Sequence, residues 1–185
     1  MAVDADVVRL RRGDLNALSE LISRHQNRLY RYLLRMVRQP AEADDLFQQT
    51  WLRVVEKIHS FDESRNFDAW LFTLARNLAI DHLRRIRPES LDEPLADGRH
   101  SETVAERIPS KDQTPLDHAL AAERRTEIVE AMSGLPMMYR EVLTLRFEEE
   151  MRIEEIAQVT AVPLSTAKAR LRRSLEQLRD ALEAR

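Results

Sequence analysis

The chain has 185 residues, of which 43% are hydrophobic, 33% are charged and 3 are glycine, and its net charge is −3. Few glycines and many charges favour long helices over turn-rich sheet, and the lack of cysteine excludes disulfides, thiolate catalysis and cysteine-ligated zinc. No apolar run approaches the roughly 20 residues that span a bilayer, and the first residues lack the apolar stretch of a signal peptide. We therefore expect a cytoplasmic protein.

The first elements in chain order are predicted helices. Hydrophobic residues at three- and four-residue steps run from Asp4 to Arg38, with a break at Gly13. Five arginines follow a similar spacing, and their simplest interpretation is a helix face in contact with solvent. They are Arg24, Arg28, Arg31, Arg35 and Arg38. Pro40 then ends this helix and suits the first turn of the next.

The helix after Pro40 carries acids and glutamines towards its N-terminal half, at Asp44, Asp45, Gln48 and Gln49. The helix dipole alone favours acids near an N-terminus. On the residues alone, a capping role for Asp44 or Asp45 is therefore a better explanation than the binding of a partner.

The stretch from Asn66 to Arg85 is predicted to be an amphipathic helix, with one apolar face and one polar, basic face. Phe61 lies in the polar loop before it. An aromatic ring beside a helix that carries Asn77 suits single-stranded nucleic acid, because bases stack on rings and an amide reads base edges. The alternative is that Phe61 packs onto its own helices.

A change of character follows Arg87. Residues 86–118 hold 4 basic and 8 acidic residues, and this part of the chain contains Pro88, Pro94, Pro109 and Pro115 without sustained periodicity. Such a composition predicts a linker. We therefore expect an all-α protein with two small helical domains joined by an acidic linker that contains prolines.

The last informative stretch is MRIEEIAQVTAVPLSTAKARLRRSLEQLRDAL, which has the proportions of a helix-turn-helix. Ala167 and Leu171 are expected to face inward. The outward basic residues could then reach a major groove and its phosphates. These residues are Lys168, Arg170, Arg172 and Arg173. The alternative is an amphipathic helix whose basic face only contacts water.

No motif in the sequence predicts catalysis. The five histidines are scattered, and the chain contains no HExxH sequence, no phosphate-binding glycine loop and no nucleophile motif. We expect a binding protein without a metal, a cofactor or a small-molecule substrate.

Three ordered runs resemble the extracytoplasmic-function (ECF) group of bacterial sigma factors, within the sigma-70 family. The runs are AEADDLFQQTWLRVV, FDAWLFTLARNLAIDHLRR and LPMMYREVLTLRFEEEMRIEEIAQVTAVPLSTAKARLRRSLEQL. The resemblance implies a subunit that directs core RNA polymerase to promoters, recognises the −35 element, and recognises and melts the −10 element. It implies sigma region 2 at residues 1–87, a linker at 88–117 and sigma region 4 at 118–185.

The resemblance also implies three binding surfaces. The first binds the clamp helices of the largest polymerase subunit, through Asp44, Asp45, Leu46, Gln48, Gln49, Trp51 and Leu52. The second meets the melted −10 element, through Ser60, Phe61, Asn66, Phe67, Asn77, Asp81, Arg84 and Arg85. The third reads the −35 element, through Ser165, Thr166, Lys168, Arg170, Arg172 and Arg173. Partner binding by Asp44 and Asp45 thereby becomes the preferred hypothesis, and Phe61 becomes a stacking wall for an extruded base.

Further partners follow from the same resemblance: the flap tip of the second-largest polymerase subunit, and an anti-sigma factor. The chain departs from the family pattern at Ala167 and Ala169, where valine and serine are frequent, at Gln49, where an acid is usual, and at Glu148–Glu150, where a turn often contains glycine. Two other hypotheses stay open. A stand-alone helix-turn-helix regulator would leave the helix from Asn66 to Arg85 unexplained, and a helical adaptor would bind no nucleic acid.

Overall fold

The computed structural model describes residues 4–86 and 126–184, and all regular secondary structure within these ranges is helical. The N-terminal bundle consists of α1 (Ala5–Arg11), α2 (Asn16–Val37), α3 (Pro40–Lys57) and α4 (Phe67–Ile86). The C-terminal unit consists of α5 (126–133), α6 (Met137–Leu143), a π-helical turn (Thr144–Glu148), α7 (Ile153–Val159) and α8 (Leu164–Glu183). The predicted linker at 88–117 lies outside the described residues.

The boundaries of the first helices follow from local chemistry. The carboxylate of Asp4 accepts a hydrogen bond from the Asp6 amide at 3.0 Å and caps α1. Gly13 has a φ of 93°, which only glycine adopts without strain, and it separates α1 from α2. Arg38 ends α2 in the left-handed conformation, and Pro40 opens α3 at a position where no amide hydrogen is needed.

The N-terminal bundle is organised around α2, which packs against α1, α3 and α4. Its fully buried side chains recur at helical spacing and form one core with those of α3 and α4. Members with no exposed surface include Leu21, Leu29, Tyr32, Leu33, Val54, Leu71 and Phe72. This core fixes the outer faces of α3 and α4, which carry the predicted binding residues.

The C-terminal unit packs directly against the bundle, with α7 on α4 and α6 on α2. Buried side chains of both units belong to one apolar cluster, to which the C-terminal unit contributes Met137, Val142, Leu145, Met151, Ile156 and Val159. A second, smaller cluster lies within the C-terminal unit and joins α6 to α8 through Leu143 and Leu171. The two helical parts thus share a core.

A buried carboxylate sits in the contact between the two units. Glu141 of α6 has a side chain only 1% exposed, and it accepts hydrogen bonds from Arg76 Nε at 2.7 Å and from the Tyr32 hydroxyl at 2.9 Å. Charged groups are buried at low cost only when they are paired and hydrogen-bonded. Glu141 meets that condition at Oε1, through residues of α2 and α4, whereas its Oε2 is buried without a hydrogen-bond partner.

Further polar contacts cross the same boundary. Arg28 Nε donates to Glu149 Oε2 at 2.7 Å, and Arg35 forms an ion pair with Glu148 at 2.8 Å. Together with the pair between Arg76 and Glu141, these form what we call the arginine–glutamate interface. The expectation that the α2 arginines only face solvent is therefore wrong for Arg28 and Arg35, because glutamates of the C-terminal unit cover them.

Arg140 of α6 supplies a hydrogen-bond donor to the C-terminal end of α2. Its Nε donates to the Arg35 carbonyl at 2.9 Å, and its Nη1 donates to the Leu135 carbonyl at 3.0 Å. The last carbonyls of a helix have no intrahelical donor, so a cation there is favourable. Burial, followed by the like charges of Arg38 and Arg35, lowers the pKa of Arg140 to about 9. It is still charged at neutral pH.

Candidate polymerase and nucleic-acid interfaces

The outer face of α3 presents most of the predicted polymerase-binding residues to solvent. Asp44, Asp45, Gln48, Gln49 and Leu52 are exposed, and Leu52 is 64% exposed although it is apolar. Leu46 and Trp51, predicted for the same surface, are instead 2% and 5% exposed. Those two side chains hold α3 in the bundle and do not present themselves to a partner in this structure.

The structure does not support a capping role for the two aspartates of α3. The helix begins at Pro40, its N-cap Gln39 makes no side-chain cap, and the acid of the first turn is Glu42. Asp44 and Asp45 lie in the second turn, where the helix dipole has largely decayed. The capping explanation from the sequence is thus wrong, and both residues are exposed.

Phe61 lies in the bundle core. Its side chain is 3% exposed, and its ring centroid is 5.8 Å from that of Phe67 and 4.9 Å from that of Trp70. The packing alternative therefore describes this structure, and a stacking role would require the ring to become accessible. Phe67 is 7% exposed in the same cluster, whereas Ser60 beside it is exposed and donates to the Lys57 carbonyl.

Asn66 caps α4 and also contacts the C-terminal unit. Its Oδ1 accepts hydrogen bonds from the Asp68 and Ala69 amides, at 2.8 and 3.4 Å. Its Nδ2 donates to Glu155 of α7 at 2.6 Å. Both ends of this amide are occupied, so Asn66 is not available to DNA in this arrangement.

The second half of α4 presents a stripe of exposed polar and basic side chains. The members are Asn77, Asp81, Arg84 and Arg85, all predicted for the −10 surface. Elsewhere on the circumference of the same half of α4, Ala75, Ala79, Ile80 and Leu83 are buried. The spacing of 77, 81, 84 and 85 puts an amide, an acid and two cations on neighbouring parts of one helix surface.

The predicted helix-turn-helix is present at α7 and α8. The turn between them includes Ala161, and Ala167 of α8 is fully buried against the unit. Ser165, Lys168, Arg172 and Arg173 are exposed, whereas Thr166 and Arg170 are half-buried. The first turns of α8 therefore present hydroxyl, ammonium and guanidinium donors, which suit phosphates and base edges.

The turn of this motif stores backbone strain at Ala161, whose φ is 53°. A Cβ in the left-handed region costs roughly 1–2 kcal/mol, part of which is offset by the extra unfolded-state entropy of glycine. We expect Ala161→Gly to raise the free energy of unfolding by about 0.5–1 kcal/mol, measured by urea denaturation. Ala181→Gly, in the last turn of α8, should instead lower it by up to a similar amount. A destabilised Ala161→Gly would contradict this account.

Comparison with known proteins assigns both helical units. The family model for Sigma-70 region 2 matches residues 21–89, and the model for Sigma-70, region 4 matches residues 125–178. The ECF RNA polymerase sigma factor SigM of Bacillus subtilis is 31% identical, over 88% of this chain and 93% of its own. The chain belongs to the ECF group of the sigma-70 family. It is an RNA polymerase sigma factor.

Other relatives of this sigma factor match over nearly its whole length. SigW of Bacillus subtilis is 29% identical over 98% of this chain and 97% of its own, and CarQ of Myxococcus xanthus is 31% identical over 94% of both. The solved structure of CnrH in complex with the cytosolic domain of CnrY has the same fold, with a TM-score of 0.69, 23% identity, and coverage of 98% of this chain and 99% of CnrH.

A second solved structure also shares the fold of the sigma factor. It is RpoE in complex with the anti-sigma factor NepR from Bartonella quintana, with a TM-score of 0.64 and 24% identity over 89% of this chain and 96% of RpoE. The predicted all-α fold with regions 2 and 4, and the predicted helix-turn-helix, are confirmed. Among residues 4–86 and 126–184, no helix is long and apolar enough to cross a membrane.

An electrostatic cluster anchors the start of α4 in region 2. Asp68 contacts His25 Nε2 at 2.9 Å and Arg28 Nη1 at 2.8 Å. Burial alone would raise the pKa of Asp68, but the hydrogen bond with His25 and the charge of Arg28 lower it from 3.8 to about 2. The ionised carboxylate is thus favoured by folding.

This cluster predicts a loss of stability in acid. Because the pKa of Asp68 is depressed in the folded state, its contribution is present above pH 3.8 and is lost as the pH falls to about 2. A shift of this size corresponds to about 2 kcal/mol. The advantage of the wild type over Asp68→Asn in free energy of unfolding should shrink by that amount between pH 5 and pH 2, in urea titrations. A constant difference across this range would contradict it.

Sequence reasoning missed the residues that join region 2 to region 4. Arg28, Arg35, Arg76, Glu141 and Glu149 appeared in no predicted site, although the structure pairs them. One signal was present: arginines recur along one face of α2, and region 4 contains the run Glu148–Glu150. Opposite charges on two helical units are compatible with docking, but they do not specify which residues meet.

Proposed function

We propose that this sigma factor binds core RNA polymerase through the exposed face of α3, the melted −10 element through α4, and the −35 element through the start of α8. The observation that carries the proposal is the exposed stripe of α4, where Asn77 and Arg84 contribute nothing to the core. The role is binding rather than catalysis. Region 2 is assigned to residues 1–87, the linker to 88–117 and region 4 to 118–185.

The three faces differ in chemistry, in accord with their three targets. The exposed apolar side chain of Leu52 among amides and acids suits a protein surface. The amide of Asn77 can read base edges, while Arg84 and Arg85 neutralise phosphates. In α8, Lys168 and Arg173 are the candidates for contacts with guanine or phosphate. The stand-alone regulator is not favoured, because region 2 also matches the family.

Several assignments need a rearrangement or act indirectly. Leu46 and Trp51 would support the polymerase-binding face from inside, since both are buried. Phe61 and Phe67 would shape the −10 surface, and Phe61 would stack on a base only after exposure. We also propose that region 4 binds the flap tip and that an anti-sigma factor holds the protein inactive. A copurified partner that blocks transcription would support the last point.

The test uses purified sigma factor with core RNA polymerase on fragmented genomic DNA. We expect transcripts from discrete start sites that disappear when the sigma factor is omitted. Asn77→Ala should reduce open-complex formation roughly 5–150-fold, the value of one lost base contact, and should leave copurification with the polymerase unchanged. The matched control is Asn27→Ala, the same change at an exposed position of α2. Failure to bind core RNA polymerase would refute the proposal.

A further inference from the structure

The two regions carry opposite charge where they meet. Residues 4–86 contain 14 lysines and arginines against 12 acids, whereas residues 126–184 contain 8 against 11. In the arginine–glutamate interface, region 2 contributes the cations and region 4 contributes the anions. The same contact also includes Asp68 of region 2, which pairs with Arg28, and Arg140 of region 4, which donates to the Arg35 carbonyl. Glu155 of region 4 adds an acceptor to the Asn66 amide.

In the docked arrangement, the −10 surface of region 2 and the −35 surface of region 4 lie too close together to bind both promoter elements at once. Helix α7 packs on α4, and α8 packs on α7, so each step adds a helix-packing distance of about 8–10 Å. Helix α4 itself is about 30 Å long. By their names, the −35 and −10 elements lie about 25 base pairs apart, which is about 85 Å of duplex. Regions 2 and 4 must therefore separate when both elements are bound.

Separation would uncover a basic surface on region 2. Arg28 and Arg35 lie seven residues apart on one face of α2, which is about 10 Å along the helix axis. Arg76 of α4 joins them, and the Tyr32 hydroxyl loses its acceptor Glu141. The Tyr32 ring itself packs against Phe72 in the bundle core, so the uncovered surface would consist of guanidinium groups, which suit the phosphates of a nucleic acid.

We infer that Arg28, Arg35 and Arg76 form a binding surface for single-stranded DNA on region 2, and that Glu141, Glu148 and Glu149 of region 4 occupy it as an intramolecular competitor of the phosphates. The inference rests on the proposed function. Two features favour DNA as the occupant: the carboxylates of region 4 already take the place of phosphates, and α4 continues from Arg76 directly to the exposed Asn77. Docking also occupies Asn66, so the competitor restrains the −10 surface.

The test measures binding of a fluorescein-labelled 20-nucleotide oligothymidine strand to the full chain, without polymerase. In Glu148→Gln/Glu149→Gln, affinity should rise at least tenfold. The salt dependence should steepen by about 0.7 for each phosphate gained, that is by about 2 for three arginines. Energy transfer between dyes at Lys57→Cys and Gln177→Cys, added to a chain without cysteine, should fall as the regions separate.

Two controls separate a specific surface from a general effect of charge. Asp180→Asn/Glu183→Gln changes the net charge equally, at exposed positions near the end of α8, and should leave energy transfer unchanged and affinity within about threefold of the wild type. In the Glu148→Gln/Glu149→Gln background, Arg35→Gln should reduce the salt slope by about 0.7. Arg53→Gln, an exposed arginine of α3, should not.

The inference requires both separation of the regions and tighter DNA binding in Glu148→Gln/Glu149→Gln. Unchanged energy transfer in Glu148→Gln/Glu149→Gln, or separation without tighter DNA binding, would overturn the inference. Equal effects of Arg35→Gln and Arg53→Gln would do the same. Because polymerase is absent, these results are independent of the transcription assay: the inference can fail while promoter-specific initiation persists. If initiation fails but these shifts occur, the proposed function is wrong and the DNA-binding surface stands.

Discussion

Phe61→Ala should lower the free energy of unfolding by about 3–5 kcal/mol, the usual cost of truncating a buried phenylalanine. The ring is 3% exposed and packs against Phe67 and Trp70, so its loss would leave a cavity between the loop and the start of α4. Urea denaturation followed by circular dichroism measures the change. A loss below about 1 kcal/mol would mean that the aromatic cluster rearranges or does not form.

A second variant separates packing from base stacking. Phe61→Leu keeps most of the buried volume and should cost less than about 1.5 kcal/mol, but it removes the aromatic face. If Phe61 stacks on an extruded base, this stable variant should bind core RNA polymerase normally and form fewer open complexes. Normal open-complex formation by Phe61→Leu would leave Phe61 with the packing role alone.

Glu141→Ala should lower the free energy of unfolding by a similar amount, about 3–5 kcal/mol, because it leaves a buried cation without its partner. Arg76 is 15% exposed and would lose its carboxylate, while the Tyr32 hydroxyl would lose its acceptor. The same denaturation experiment gives the value. The corresponding truncation at an exposed ion pair, Glu176→Ala, should change stability by less than about 0.5 kcal/mol.

The double replacement Glu141→Leu/Arg76→Met tests whether the loss of stability in Glu141→Ala comes from the unpaired charge of Arg76. Exchanging both members of a buried ion pair for apolar residues of similar volume is often close to neutral. We therefore expect this variant to recover most of the stability that Glu141→Ala loses. If it is as unstable as Glu141→Ala, the cost comes from shape in the contact between the two regions and not from an unpaired charge.

The helices themselves could be predicted from the sequence, because their signals are local. The break at Gly13, the start at Pro40 and the turn that contains Ala161 each depend on a few neighbouring residues, and the structure has all three. The polar stripe of α4 could also be predicted, because helical periodicity alone separates Asn77 and Asp81 from the buried face.

The burial of individual site residues could not be predicted as well. Periodicity places Leu46 and Trp51 on α3, but only the angle at which α2 and α4 pack decides that both side chains point inward. Phe61 lies in a loop, where no periodicity exists, and its burial depends on the ring positions of Phe67 and Trp70. Family resemblance names positions; it does not give their accessibility.

The contact between regions 2 and 4 could not be predicted from local sequence patterns. Arg28 and Glu149 are 121 positions apart, and Tyr32 and Glu141 are 109 positions apart. A row of arginines on one helix face is equally compatible with contact to solvent and with contact to another helical unit. The choice depends on the complementary surface of another unit, which a single sequence does not place.

The Arg140 contact makes the last turn of α2 depend on whether region 4 is docked. Arg140 belongs to region 4, yet its guanidinium supplies a donor to the Arg35 carbonyl in the last turn of a region 2 helix. When region 4 departs, that turn loses the donor and should fray, far from the exposed stripe of α4 and from α8. Hydrogen exchange of the amides at Met36 and Val37 would then report domain separation in the unlabelled protein, whichever partner causes it.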